Sequence, residues 1–116
     1  PGMMLRDGKV CLSFGVMGGH YQAMGHAHLI SKLLDYGLDL QSAISLPRVF
    51  PRPGQTAIEA EKTVPAAVRA ELERRGFVFT APGAAIGGGQ AIAIDPVTSV
   101  LSAGSDHRKD GCALGW

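Results

Sequence analysis

Gly18 and Gly19 are followed at once by His20, and the stretch "FGVMGGHYQAMGHAHLISKLL", Phe14 to Leu34, gathers the glycine pair with His20, His26 and His28. The apolar run before the pair reads as a strand and the pattern after it as a helix, so the glycines stand at a strand-to-helix junction. Such a junction aims unpaired backbone N–H groups and the positive end of a helix dipole at one spot. Glycine has no Cβ, so a carbonyl can approach the backbone closely, and the geometry suits an anion or a developing oxyanion. The plain alternative is a tight turn with no chemistry. His20, directly after the pair, is the histidine placed to touch a substrate bound there.

The other candidates are weaker. At 100° per residue His26 falls on the apolar arc with Ile30 and Leu33, whereas His28 lies about 160° away near Lys32 and Asp35. The two cannot share a metal from one helix, and no HExxH pattern occurs, so no metal site is expected. His26 is expected to pack with both nitrogens satisfied, and His28 to be solvated. Asp106-His107-Arg108 looks like part of a triad, but adjacent residues of an extended segment face opposite ways. Asp106 therefore cannot orient His107, while Asp106 and Arg108 can share a face and pair with charges. Neither GxxxxGK[ST] nor GxGxxG occurs at the junction, and Gly87-Gly88-Gly89 leads into a strand, so phosphate binding has little support. No serine or cysteine has a nearby base, paired carboxylates are absent, and no nucleophile or cofactor site is read in this chain.

Composition narrows the partners. In 116 residues with a net charge of +1, 46% hydrophobic and 18% charged, one modest core is expected and no field selects a polyanion. With 6% aromatic residues for stacking, nucleic acid is a poor fit. No run approaches the roughly 20 apolar residues of a membrane span. Pro1-Gly2-Met3-Met4 lacks both an initiator methionine and signal-peptide character, which suggests a segment of a longer polypeptide. Cys11 and Cys112 are too far apart in sequence for a zinc motif and read as free thiols, Cys11 buried as a small apolar residue.

The elements that must hold the junction follow from pattern. Met3 to Leu5, a turn at Asp7-Gly8, and Val10 to Phe14 read as a hairpin. His20 to Tyr36 reads as a helix with Ala23, Ala27, Ile30 and Leu34 on its buried stripe, stopped by Gly37. A second helix spans Leu40 to Leu46 before Pro47. Phe50 to Gln55 reads as a loop and Thr56 to Lys62 as a strand. A third helix is capped by Thr63, with Val64, Val68 and Leu72 inward, and ends at Gly76. Phe77 to Phe79, Gln90 to Ile94 and Ser99 to Ala103 read as strands, the last two joined by a turn at Asp95-Pro96. The order ββααβαβββ is α+β with largely antiparallel pairing and helices on one face of the sheet. Such a sheet leaves an open face and free edges, which calls for a partner.

This order resembles the C-terminal part of the small subunit of gamma-glutamyltranspeptidases. The residues that carry the likeness are the Asp7-Gly8-Lys9 hairpin, the glycine pair, "LLDYGLDLQSAISLPRVF", "IEAEKTVPAAVRAELERRGF", the glycines before "QAIAID", and "SAGSDHR". Leu34 to Leu38, with Ala43, Pro47 and Arg48, form the most specific stretch. The resemblance implies one domain over residues 1–116, incomplete alone, within the αββα sandwich of N-terminal nucleophile hydrolases. It implies a precursor that cleaves itself, a large subunit and an upstream part of the small subunit as partners, and a threonine nucleophile upstream of Pro1. It assigns Gly18 and Gly19 as oxyanion donors and a gamma-glutamyl amide as the small-molecule substrate. Where the family commonly has Pro-Gly-Gly-Ser, this chain has Met17-Gly18-Gly19-His20. That departure brings in a related acylase of the cephalosporin-acylase type, and a small-anion-binding module stands as the non-catalytic alternative.

Overall fold

The computed structural model describes residues 1–115. Its contacts cluster in two compact units, Pro1–Leu46 with the chain from Gly87 onward, and Pro47–Ile86, where the sequence suggests one core. Strands are β1 (Gly2–Arg6), β2 (Lys9–Met17), β3 (Val49–Pro51), β4 (Ala57–Ala60), β5 (Val78–Thr80), β6 (Gly88–Ile94) and β7 (Leu101–Ser105). Helices are α1 (Gln22–Leu34), α2 (Leu40–Ser45) and α3 (Ala66–Arg74), with 3-10 turns at Gly19–Tyr21 and His107–Lys109.

The first unit is a sheet in the order β1-β2-β6-β7, antiparallel throughout. Asp7 and Gly8 both take positive φ, 51° and 76°, as a type I′ hairpin turn requires. Two strands run further than their sequence suggests. β2 continues past Phe14 to Met17, and β6 starts at Gly88 rather than Gln90, because Val16 pairs with Gly89 and Met17 with Gly88. β7 starts at Leu101 rather than Ser99, since Asp95 accepts the amides of Val97 and Thr98 and Ser99 turns at φ 59°.

Helices α1 and α2 pack on one face of this sheet, over Leu12, Val16 and Ala91. The buried line on the α1 side is Tyr21, Gly25 and Leu29, whereas Ala23 and Ala27 are exposed and Leu34 is 56% exposed. Gly25 explains the rotation from the expected stripe. A Cβ there would lie 2.5 Å from Val16 Cγ1, so the missing side chain lets the helix sit directly on β2. The helix ends at Leu34, ahead of Gly37 at φ 63°. α2 begins at a cap the sequence reading did not use: Asp39 accepts from the Ser42 amide at 2.9 Å. Hydrogen bonds from the Ser42 side chain, then its backbone, hold the Asp39 carboxyl below its usual range.

In the second unit β3 pairs antiparallel with β4, and β4 pairs parallel with β5 across the α3 crossover. Phe50 and Pro51, expected in a loop, belong to β3 opposite Glu59 and Ile58, an edge strand where proline is tolerated. Thr63 does not cap α3. Pro65 occupies the cap position with no side-chain hydrogen bond, because the residue before a proline is kept out of helical geometry. Of the expected inward stripe, Val64 is buried, Leu72 half-buried and Val68 exposed. Arg48 is buried, its Nη1 donating to the Ile86 carbonyl at 2.8 Å, while its amide donates to Glu61 Oε2 at 3.0 Å.

Candidate functional site

The glycine pair closes β2 in a conformation that side chains disfavour. Gly18 has φ 134° and Gly19 φ 56°. A Cβ on Gly18 would lie 2.8 Å from the Cα of Gly87, whereas one on Gly19 would meet nothing within 4 Å. Gly87, at φ 62°, is equally constrained, since its Cβ would be 2.6 Å from the Met17 carbonyl oxygen and 2.5 Å from Tyr21 Cδ1. Gly18 and Gly87 thus pack backbone to backbone, with Tyr21 buried against both. The Tyr21 amide donates to the Gly18 carbonyl at 3.1 Å, which closes the 3-10 turn.

That turn leaves donors free. Among the described residues the N–H groups of Gly19 and His20 meet no protein acceptor, and both residues are exposed. Adjacent unpaired amides at the start of a helical segment form a concavity that favours negative charge. The His20 side chain is exposed beside them.

His26 is a structural residue. Its Nε2 accepts from the Val16 amide at 3.2 Å and its Nδ1 lies 2.8 Å from the Gln22 carbonyl. Because Nε2 accepts, Nδ1 must carry the proton, so the ring is spent on fixing α1 to the end of β2. Phe14 meets it edge-on at 5.6 Å. His28 is half-buried with its ring 6.4 Å from that of Tyr21, which corrects the expectation of a solvated residue. The aromatic ring at the foot of α1 gives it apolar cover.

Asp106 and Arg108 pair with each other. Asp106 is fully buried, and its Oδ2 accepts from the Gly89 amide at 2.7 Å. Its Oδ1 accepts from the Arg108 amide at 3.0 Å and from Arg108 Nη1 at 3.2 Å. The guanidinium also donates to the carbonyls of Ile44, Ser45 and Leu46, satisfying the C-terminus of α2. Gln41 braces the end of β7 with two bonds to the Ser105 backbone, each 3.0 Å. This network anchors the start of β6, and through Gly87 it sets the wall against which Gly18 rests. The sequence offers a shared face for Asp106 and Arg108, but nothing in its pattern points to Gly89 as their target.

Among the described residues no cluster of three or more His, Cys, Asp or Glu could hold a metal ion. Cys11 and Cys112 are free thiols, Cys11 half-buried with its thiol toward the Met4 carbonyl. Among the described residues no helix is long and apolar enough to cross a membrane.

An antiparallel sheet carrying helices on one face, with a strand that ends in a glycine pair, is an α+β fold of the N-terminal nucleophile hydrolase kind. The gamma-glutamyltranspeptidase family model matches residues 1–116, and the chain belongs to that family. It is 31% identical over 111 residues to the acylase ACY 1 proenzyme of Pseudomonas sp. strain SE83, covering 96% of this chain and 19% of that protein. It is 27% identical over 115 residues to the glutathione hydrolase proenzyme of Bacillus subtilis strain 168, covering 99% and 19%. Among solved structures, the cephalosporin acylase from Bacillus halodurans superposes with a TM-score of 0.91 at 34% identity, covering 98% of this chain and 22% of that one. The gamma-glutamyltranspeptidase from Pseudomonas nitroreducens gives 0.86 at 27% identity, covering 100% and 60%. The chain spans about a fifth of the length of these curated relatives.

Proposed function

We propose that this chain supplies the oxyanion donors of an amide-cleaving site in a longer protein that hydrolyses or transfers gamma-glutamyl groups. The observation that carries the reading is the free amide pair at Gly19 and His20, beside a Gly18 that tolerates no side chain. In this reading a threonine hydroxyl from another part of the protein attacks the amide carbonyl, and its proton passes to the threonine's own α-amino group. The carbonyl oxygen becomes an anion held by the N–H groups of the glycine pair and its neighbour. Collapse breaks the C–N bond, the leaving amine takes the proton, and water or an acceptor amine releases the acyl group. His20 lies where it can touch the substrate. The partners are the large subunit and the upstream part of the small subunit of one precursor.

A second reading, an acylase of the cephalosporin-acylase type, is favoured by two likenesses: 31% identity to the ACY 1 proenzyme and the 0.91 superposition on the Bacillus halodurans acylase. The processed full-length protein decides between them when offered gamma-glutamyl and glutaryl anilides. We expect release from the gamma-glutamyl compound at least tenfold faster. Preference for the glutaryl compound selects the acylase. Release from neither, with correct processing, overturns both and leaves the anion-binding module.

A further inference from the structure

His26 ties together the two shoulders of the turn that carries the free amides. β1 pairs with β2 only as far as Phe14, so the Val16 amide has no partner in β1. The imidazole takes that place: Nε2 accepts from Val16 at 3.2 Å, and Nδ1 donates at 2.8 Å to the carbonyl of Gln22, the first residue of α1. One ring therefore joins the strand end to the helix start, and Gly18, Gly19 and His20 lie in the chain between its two partners. Gly25 secures the same residue from the side, because a Cβ there would lie 2.5 Å from Val16 Cγ1. Backbone and side chain of Val16 are thus both fixed by α1, two residues before Gly18.

A single protonation state can do this. The Val16 N–H is a donor, so Nε2 must present a lone pair and the ring must be neutral. A second proton makes both nitrogens donors, and Nε2–H then faces N–H. The bond is lost, and the imidazolium turns toward water. Water is at hand, since the ring is half-buried and lines an open cleft of 520 Å³. Phe14 covers it edge-on from β2, and its helix neighbours Gln22, Ala23, Leu29 and Ile30 are uncharged. Across the cleft stand Pro1, Gln90 of β6 and Lys109 after β7, and among the described residues no carboxylate lines it. The cleft therefore offers an imidazolium no counter-ion to hold it in place.

We propose that His26 is the positioning residue of the oxyanion turn: its neutral ring holds the Gly19 and His20 amides in place, and its protonation releases them and lowers turnover in acid. The effect on turnover rests on the amide-cleaving reading, while the latch itself stands on the geometry of Val16, Gln22 and the ring. The sign follows from the bond. The latch is closed above the range in which imidazoles titrate, roughly pH 5 to 8, and opens as pH falls through it.

The test uses the processed full-length protein and two substitutions that divide the ring's functions. In His26→Gln the carboxamide reaches the position of Nε2 and offers Val16 an acceptor that does not titrate. In His26→Asn it reaches the position of Nδ1 alone, keeps the Gln22 bond and leaves Val16 unpaired. Hydrogen–deuterium exchange over residues 14–21, scaled for intrinsic rates, reads the latch without turnover. We expect protection there to fall about tenfold between about pH 7.5 and 5.5 in wild type, to stay level in His26→Gln, and to be low at both pH values in His26→Asn. Anilide kcat should follow the same order with KM within about twofold, because the donors act on the transition state. At the higher pH His26→Asn should lose about tenfold in kcat, whereas His26→Gln should retain most of it. A base elsewhere in the site would give wild type and His26→Gln the same acid loss, and that result overturns the proposal. So does level protection in wild type, an arm that stands even where a variant fails to fold. Equal kcat in His26→Gln and His26→Asn overturns the positioning role. Absence of anilide cleavage alongside pH-dependent protection in wild type overturns the amide-cleaving reading and leaves the latch.

Discussion

Gly18 and Gly19 are adjacent and chemically identical, yet the structure makes opposite demands of them. At Gly18 a methyl group meets the Gly87 backbone and the φ of 134° is foreign to L residues; at Gly19 there is open space and φ 56° is the left-handed helical region. Gly18→Ala should therefore cost about 1–3 kcal/mol of backbone strain plus the clash, and displace the amides that follow. Gly19→Ala should cost about 1–2 kcal/mol and keep those amides in place. If they hold the oxyanion, Gly18→Ala lowers kcat by about 100-fold or more and Gly19→Ala by far less. Urea unfolding and anilide kinetics on the processed protein check the two sides. Equal kinetic losses in both variants would remove Gly18's packing as the cause. The sequence makes the pair visible through its place between two periodicities. It hides Gly87, because a glycine that matters for its distance to another backbone has no periodic signature.

At the scale of elements, the arrangement of β6, β7 and α2 depends on one buried ion pair. Asp106 has no exposed surface and the Arg108 side chain is 7% exposed. Removing one partner leaves the other buried without compensation, so Asp106→Ala should destabilise by about 3–5 kcal/mol. The double variant Asp106→Ala with Arg108→Met should recover part of that loss, because both charges then leave together. Thermal and urea unfolding of the full-length protein measure this; an additive double variant would mean the two residues act separately. Helix and strand positions were largely legible from periodicity, capping glycines and prolines. β3 was not, because its proline reads as a loop signal and its pairing with β4 is a tertiary fact. The inward line of α1 escapes the pattern for a related reason: hydrophobic patterning cannot count Gly25 as a buried residue, though a Cβ there would lie 2.5 Å from Val16 Cγ1 on β2.

For the whole molecule, the sheet of the first unit has two unlike faces. The face under α1 and α2 holds Leu12, Val16 and Ala91, all buried. Alternation puts Met3, Met17, Ile92 and Leu101 on the other face, where they are 66%, 54%, 45% and 64% exposed. Apolar side chains clustered on one sheet face are uncommon on a monomer's surface and mark a contact. Family membership gives that contact its setting, since the αββα sandwich lays a second sheet against the first. A lysine at position 92 then distinguishes a covered face from a wet one. If the face is covered in the full-length protein, Ile92→Lys buries an unpaired charge, which destabilises by several kcal/mol. Processed soluble protein should then fall severalfold on a denaturing gel of the soluble fraction. Val97 is 89% exposed in the turn between β6 and β7, and Val97→Lys there should stay within about 0.5 kcal/mol of wild type. Equal yields from the two variants would mean that water, and no second layer, meets this face in the assembled protein.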